Sequence, residues 1–217
     1  MNPTWQFSDG TTLPVGTMYC IGRNYAAHAR EMGAEVVPDP IVFIKPPAAY
    51  RANNSQIQLP SFSSDVHHEV ELVIVIGGST ERCDPSDAWN YIAGLTVGID
   101  FTARDIQTAA KKNGHPWAVA KSWAGSAPCG PVIPARECGR GPWNLSLSVD
   151  GAMRQQGSTA DMERSVEELV SYLASVFTLQ PGDCIFTGTP EGVGPVMSGQ
   201  RVVAHLVSLV TLTIDIA

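Results

Sequence analysis

The sequence is short of charge. Only 16% of its residues are Asp, Glu, Lys or Arg, and 14 Lys and Arg face 21 Asp and Glu, a formal net charge of -7. A nucleic-acid surface needs a concentrated positive field, so this balance argues against one. It leaves room for basic focusing around a small anion. Cysteine is scarce as well. Cys20, Cys83, Cys129, Cys138 and Cys184 are odd in number and widely spaced. No close pair resembles a zinc site or a redox CxxC, so reduced thiols are expected. No apolar run nears the ~18 residues of a membrane span. The N-terminal stretch holds Trp5, Asp9 and Gly10 rather than a basic segment followed by an apolar one. No secretory signal is read there, and a cytoplasmic home is expected. Repeats, low-complexity tracts and interdomain linkers are missing too.

Glycine and proline, in contrast, are plentiful, at 20 and 16 of 217 residues. Such punctuation favours many short strands over long helices. Strands are expected at 18–22, 41–45 (buried), 66–76, 91–100, 143–149 (one wet face), 152–156, 184–187, 201–207 and 209–216. A short helix is expected over 24–32, capped by Asn24 and broken by Gly33 and the Pro38–Pro40 region. A second follows Pro85 and ends near Tyr91, and 102–112 reads as polar and mostly helical. The firmest helix is 165–177. Ser165 and Glu168 match a capping box, and Val166, Leu169, Val170, Leu173 and Phe177 form an apolar stripe. The pattern is mixed and mainly β with a few helices. One domain over 1–217 is expected, with 1–17 as a short N-terminal extension.

The 66–76 strand carries the first chemical signal. Glu69 and Glu71 are two apart and share one face. Val70, Leu72 and Ile74 take the other. Two carboxylates on an apolar strand repel each other and resist burial, and a bound cation relieves both costs. Asp100 ends a second apolar strand. Together the three offer a hard, all-oxygen site suited to Mg2+, with Mn2+ also compatible and Ca2+ left open. The competing view puts the glutamates on a wet edge. His67 and His68 adjoin the pair and are candidates to orient a ligand. His28 and Glu31 lie three apart in a short helix and can face each other, a pair suited to activating water or to an ordinary surface contact. Glycines at 22 and 33 flank them as candidate hinges. Arg23, Arg104 and Lys121 are candidate anion holders, and Gln107 follows Arg104 by one helical turn. The loop Thr187-Gly188-Thr189-Pro190 allows close backbone approach to a ligand, but it lacks the ending of a Walker motif.

Several segments, taken in order, resemble the fumarylacetoacetate hydrolase family. They are CIGRNYAAHAREM, HHEVEL, GIDFTARDIQ, PWAVAKS, SVDGAMRQQG and FTGTPEGVGP. The His-x-x-Glu element at His28 and Glu31 is similar to that of the small acylpyruvate hydrolase branch. The resemblance implies a rolled mixed β-sandwich, usually paired as a homodimer. It assigns a divalent metal, Mg2+ or Mn2+, to Glu69, Glu71 and Asp100, with no organic cofactor. It places Arg104, Gln107, Lys121 and Thr189 in the substrate pocket, with Arg23 and Lys45 as further pocket-side candidates. His28 and Glu31 would sit on a lid and activate water, and Lys121 would help stabilise an oxyanion. The implied activity is hydrolysis of a carbon–carbon bond in a 2,4-diketo acid such as acetylpyruvate or fumarylpyruvate. Decarboxylation or keto–enol tautomerisation of oxaloacetate is the enzymatic alternative, and a metal-stabilised binding protein the non-enzymatic one. Neither nucleic acid nor membrane is an expected partner.

Overall fold

The computed structural model describes residues 3–31, 33 and 39–217. Two mixed β-sheets form the frame of the fold. The first has six strands, in the order Ile133–Pro134, Ile92–Ile99, Val70–Ile76, Cys184–Phe186, Met18–Gly22 and Ile41–Lys45. Only the Cys184–Phe186 and Met18–Gly22 strands run parallel in it. The second sheet has five, in the order Ala152–Ser158, Asn144–Val149, Arg201–Leu206, Val210–Ile216 and Gln56–Ile57. Its last pairing is parallel and the rest antiparallel.

The sheets close over one large core. Leu72, Ile74, Leu95 and Val97 pack with Leu145, Leu147, Ala204 and Leu212. The opposite face of the six-stranded sheet is also covered, where Val73, Val75, Cys20 and Phe186 pack with Trp5, Tyr50 and Ala127. Burial on both faces explains why the Val70–Ile76 strand reads as a near-continuous apolar run. The N-terminal stretch joins this second core as a hairpin of Thr4–Gln6 and Thr12–Pro14. Trp5 is fully buried, and its indole N–H donates to Gly182 O at 2.8 Å. All five cysteines are free and buried.

The firm helix forms as expected over Val166–Phe177, with both halves of the Ser165–Glu168 capping box made. Val166, Leu169, Val170 and Leu173 are buried, but Phe177 at the frayed end is exposed. Four other expectations need correction. The 66–76 strand is two strands, Val66–His68 and Val70–Ile76, interrupted at Glu69. Val66–His68 leaves the large sheet to pair with Thr102–Ala103 and Gly194–Pro195. The 41–45 strand is an edge strand with Ile44 44% exposed; Val42 and Phe43 pack half-buried against the two cores, and Phe43 also lines the cleft. The wet face expected at 143–149 is there in part: Asn144 is exposed and Ser148 half-buried opposite buried Leu145, Leu147 and Val149, but Ser146 between them is buried.

Asn24 does not serve as a simple cap for the Ala26–Glu31 helix. Its amide N–H groups donate to Thr187 O and Arg164 O, and its Oδ1 accepts from Arg164 N–H. Met32, the expected last helical residue, and Pro38, part of the expected break, lie outside the described residues. Among the described residues, no helix is long and apolar enough to cross a membrane.

Candidate metal centre and active site

The interruption at Glu69 builds the centre. In the paired strands Val70 faces Ile99 and Glu71 faces Gly98. Asp100 follows immediately, and its N–H donates to Glu69 O at 2.8 Å. The register therefore delivers all three acids to one end of the sheet. One carboxylate oxygen from each of Glu69, Glu71 and Asp100 lies within 4.8 Å of the others, and all three side chains are buried. A wet-edge placement of the glutamates is thus ruled out.

Cations from three elements meet this triad. Lys121 ends the Ala118–Lys121 helix, and its Nζ bridges Glu69 Oε2 at 2.7 Å and Asp100 Oδ2 at 2.6 Å. Arg104 opens the Arg104–Asn113 helix and pairs with Glu69 while donating to Gln107 Oε1 at 2.7 Å. Lys45 ends the edge strand, fully buried, with its Nζ 2.8 Å from Asp100 Oδ1. It also donates to Ser126 Oγ at 2.9 Å and to Lys121 O. Lys45 therefore sits behind Asp100 and is not part of the cleft wall, a correction to its expected place on the pocket side.

Glu71 is treated differently. Its Oε2 accepts from Gly188 N–H at 2.7 Å. Among the described residues no ammonium or guanidinium pairs with it. Burial, followed by the Asp100 and Glu69 charges, pushes its carboxyl well above the usual range. Burial also works to raise Glu69, but the Lys121 and Arg104 charges outweigh it and hold that carboxyl well below normal. Lys121 shows the mirror balance. Burial disfavours its charge, yet Asp100 and Glu69 leave its pKa raised. The donor set is three hard oxygens with one carboxylate lacking a counter-charge. A divalent cation fits that chemistry, because it would hold Glu71 ionised without desolvating a lone charge.

The triad lines a cleft that opens beside these cations. Arg23, His28, Arg104, Gln107, Lys121 and Thr189 share its wall. His28 Nδ1 lies 3.2 Å from Glu31 Oε2, and Glu31 accepts from Gly192 N–H at 3.1 and 3.2 Å. The loop after the Cys184–Phe186 strand thus touches both ends of the site. It needs glycine at both contacts. Gly188 has φ +99°, and a Cβ there would stand 2.8 Å from Asn24 Cβ; Gly192 has φ +92°, with Arg154 O in the way.

Neither histidine of the His67–His68 pair bonds a triad carboxylate. His67 Nε2 meets Asp65, while His68 Nδ1 meets Gln155 Oε1 at 2.9 Å. Three cleft residues escaped the sequence reading. Lys111 follows Arg104 by two turns and Gln107 by one on the same helix face, a spacing that could have found it. Its Nζ lies 5.1 Å over the Trp117 ring. Trp117 in turn packs against Phe43 at 5.9 Å. These two rings form the apolar wall, and no local pattern announces it.

Comparison with known proteins agrees with this architecture. Residues 17–217 match the fumarylacetoacetate (FAA) hydrolase C-terminal family. An oxaloacetate tautomerase, FAHD1, of Arabidopsis thaliana mitochondria is 44% identical over 212 residues, covering 97% of this chain and 92% of its own. The oxaloacetate tautomerase YcgM of Escherichia coli is 44% identical over 190 residues, covering 87% of each. The crystal structure of fumarylpyruvate hydrolase from Pseudomonas aeruginosa, in complex with Mn2+ and pyruvate, superposes with a TM-score of 0.95. It is 39% identical and covers 100% of this chain and 96% of its own.

Proposed function

The chain belongs to the fumarylacetoacetate hydrolase family of metal-dependent enzymes, and from that premise we propose that it cleaves acylpyruvates to pyruvate and a carboxylic acid by hydrolysis. The observation that carries this reading is the His28–Glu31 pair: His28 lines the same cleft as the acidic triad, and Glu31 is tied to the triad's loop through Gly192. Glu69, Glu71 and Asp100 would hold a divalent metal, Mg2+ or Mn2+. When bound, that ion supplies Lewis acidity and positive charge beside a 2-keto acid.

The remaining chemistry belongs to the chain. Arg104 keeps one buried N–H, at Nε, without a partner, and with Arg23, Gln107 and Thr189 it would orient the substrate carboxylate. Glu31 holds His28 through Nδ1, which leaves Nε2 to take a proton from water. The water oxygen then bonds the distal acyl carbon, and Lys121 offers its charge to the resulting oxyanion. As that centre collapses, the carbon–carbon bond breaks and its electron pair passes to the pyruvate fragment. Imidazolium at His28 returns the proton there.

A second reading is keto–enol tautomerisation of oxaloacetate. It is favoured by the 44% identity to the Arabidopsis and Escherichia coli oxaloacetate tautomerases. It uses the same site and the same proton shuttle, without an attacking water. A kinetic panel separates the two. Purified protein with Mg2+ or Mn2+ is given acetylpyruvate, fumarylpyruvate and oxaloacetate, following pyruvate release and loss of the enol absorbance. Pyruvate release from an acylpyruvate, abolished by Glu31→Gln, supports hydrolysis. Oxaloacetate turnover with no acylpyruvate cleavage transfers the function to tautomerisation, and no turnover at all sinks both. The homodimer implied by the family resemblance belongs to the same proposal, and light scattering of the purified protein reads it.

A further inference from the structure

Gln155 lies on the Ala152–Ser158 strand at the edge of the second sheet, yet its side chain reaches the first. It is 1% exposed and makes four contacts. Its Oε1 accepts from Val70 N–H at 3.0 Å and meets His68 Nδ1 at 2.9 Å. Its Nε2 donates to Pro190 O at 2.9 Å and to Thr189 Oγ1 at 2.8 Å. The first two contacts flank Glu69 on both sides. The other two hold the loop whose Thr189 lines the cleft.

Two of the four partners have fixed polarity. A backbone N–H can only donate, and the proline carbonyl can only accept. Val70 N–H therefore takes the amide oxygen, and Pro190 O takes the amide nitrogen. The other orientation would set donor against donor at Val70 and acceptor against acceptor at Pro190, inside a buried site. The remaining contacts follow. Thr189 Oγ1 must accept from Gln155, and His68 must donate from Nδ1. A hydroxyl has one proton, and Gln155 does not take that of Thr189.

We infer that Gln155 is a positioning residue that fixes the polarity of Thr189, so that this hydroxyl gives its proton to an oxygen acceptor of the bound ligand. The acceptor is a carboxylate or keto oxygen. The inference deepens the proposed function and rests on a 2-keto acid being the ligand; the polarity itself rests only on the four contacts.

Pyruvate is the probe, titrated by calorimetry into the Mn2+-loaded protein, with Mn2+ affinity and thermal melting measured beside it. Thr189→Val is expected to weaken pyruvate by about tenfold or more, the usual effect of losing a hydrogen bond to a charged group. Thr189→Ser keeps the affinity within about threefold, since it retains the hydroxyl. Gln155→Glu replaces the donor by an acceptor, which draws the Thr189 proton away from the ligand. It is expected to weaken pyruvate in the presence of Thr189 and to add nothing once Thr189→Val is in place. A role in folding alone would instead lower melting and Mn2+ affinity in both backgrounds, with additive losses of pyruvate, and that result overturns the inference. If Gln155→Glu does not fold, Gln155→Met takes its place in the same cycle.

A ligand-free readout stands beside the cycle. Nitrogen-15 NMR of the Mg2+-loaded protein is expected to show His68 protonated at Nδ1. Protonation at Nε2 alone overturns the assigned amide orientation whatever the protein binds. The expected tautomer without any pyruvate binding leaves the polarity standing and removes the 2-keto acid reading.

Discussion

Replacing Lys45 by Met tests how the buried charges are balanced. The ammonium stands 2.8 Å from Asp100 Oδ1, with both side chains almost wholly buried. At an effective dielectric of about 20, that pair alone carries about 6 kcal/mol of gross attraction. Desolvation offsets part of it, and removing one member of a buried pair typically costs about 3–5 kcal/mol. Lys45→Met keeps the stem and removes the charge, leaving Asp100 with Lys121 as its ionic partner. For a chain of this size, about 3–5 kcal/mol is a fall of about 6–20 °C in Tm for the metal-free protein. A divalent metal adds charge where the ammonium was lost. Its stabilising increment should therefore be larger in Lys45→Met than in the wild type, as linkage requires of a ligand that binds the variant's native state more tightly. Scanning calorimetry of both proteins, with chelator and with saturating Mg2+ or Mn2+, reads all four values. An unchanged metal-free Tm refutes the pairing. A metal increment equal to or smaller than that of the wild type refutes the claim that Lys45 and the metal share Asp100's charge.

Three further outcomes follow from the same geometry. Glu71 has a folded pKa raised well above 4.5, so the metal-free native state holds a proton that the unfolded chain releases. Its contribution falls as pH rises from about 4.5 through the raised pKa, and is then level; Glu71→Gln should flatten that fall, raise the metal-free Tm at neutral pH and cancel the gain on adding metal, as pH-dependent melting would show. Gly192→Ala should displace the loop N–H from Glu31 and lower kcat at least tenfold while sparing metal binding by titration, since the φ of +92° and Arg154 O leave a methyl no room. Ser165→Ala removes one half of the capping box and should cost about 1 kcal/mol, or about 2–4 °C, with no change in turnover.

The acids were legible because strand periodicity is local. Two residues apart on a strand means one face, and Glu69 and Glu71 obey that rule even though the strand breaks between its two sheets at Glu69. The break was not legible. It depends on Gln155, 85 residues away, taking the Val70 N–H. Lys45 was found as a cation next to an apolar strand, but its partner Asp100 comes from another strand, so sequence could not tell wall from backing. Asn24 reads as a cap because asparagine usually is one, and tertiary bonds to Thr187 and Arg164 won instead. The burial expected at 41–45 failed for a related reason: an apolar run does not say that its strand ends a sheet, and here the edge position leaves Ile44 exposed. Capping at Ser165, by contrast, is decided within four residues and was read correctly.

The loop from Thr187 to Gly192 has one more consequence. It gives one backbone N–H to Glu71 and another to Glu31, with Pro190 between them held by Gln155. Glu71 of the acidic triad and Glu31 beside His28 are thus gauged from a single short ruler, and not from each other across the cleft. The aromatic wall of Phe43 and Trp117 comes from other elements, the Ile41–Lys45 strand and the residue that precedes the Ala118–Lys121 helix. Under the proposed function, side chains on the wall can be exchanged to admit another acyl group while the spacing of Glu71 and Glu31 stays as it is. A single residue inserted between Gly188 and Gly192 would do the reverse, leaving the wall intact and shifting Glu31 relative to Glu71.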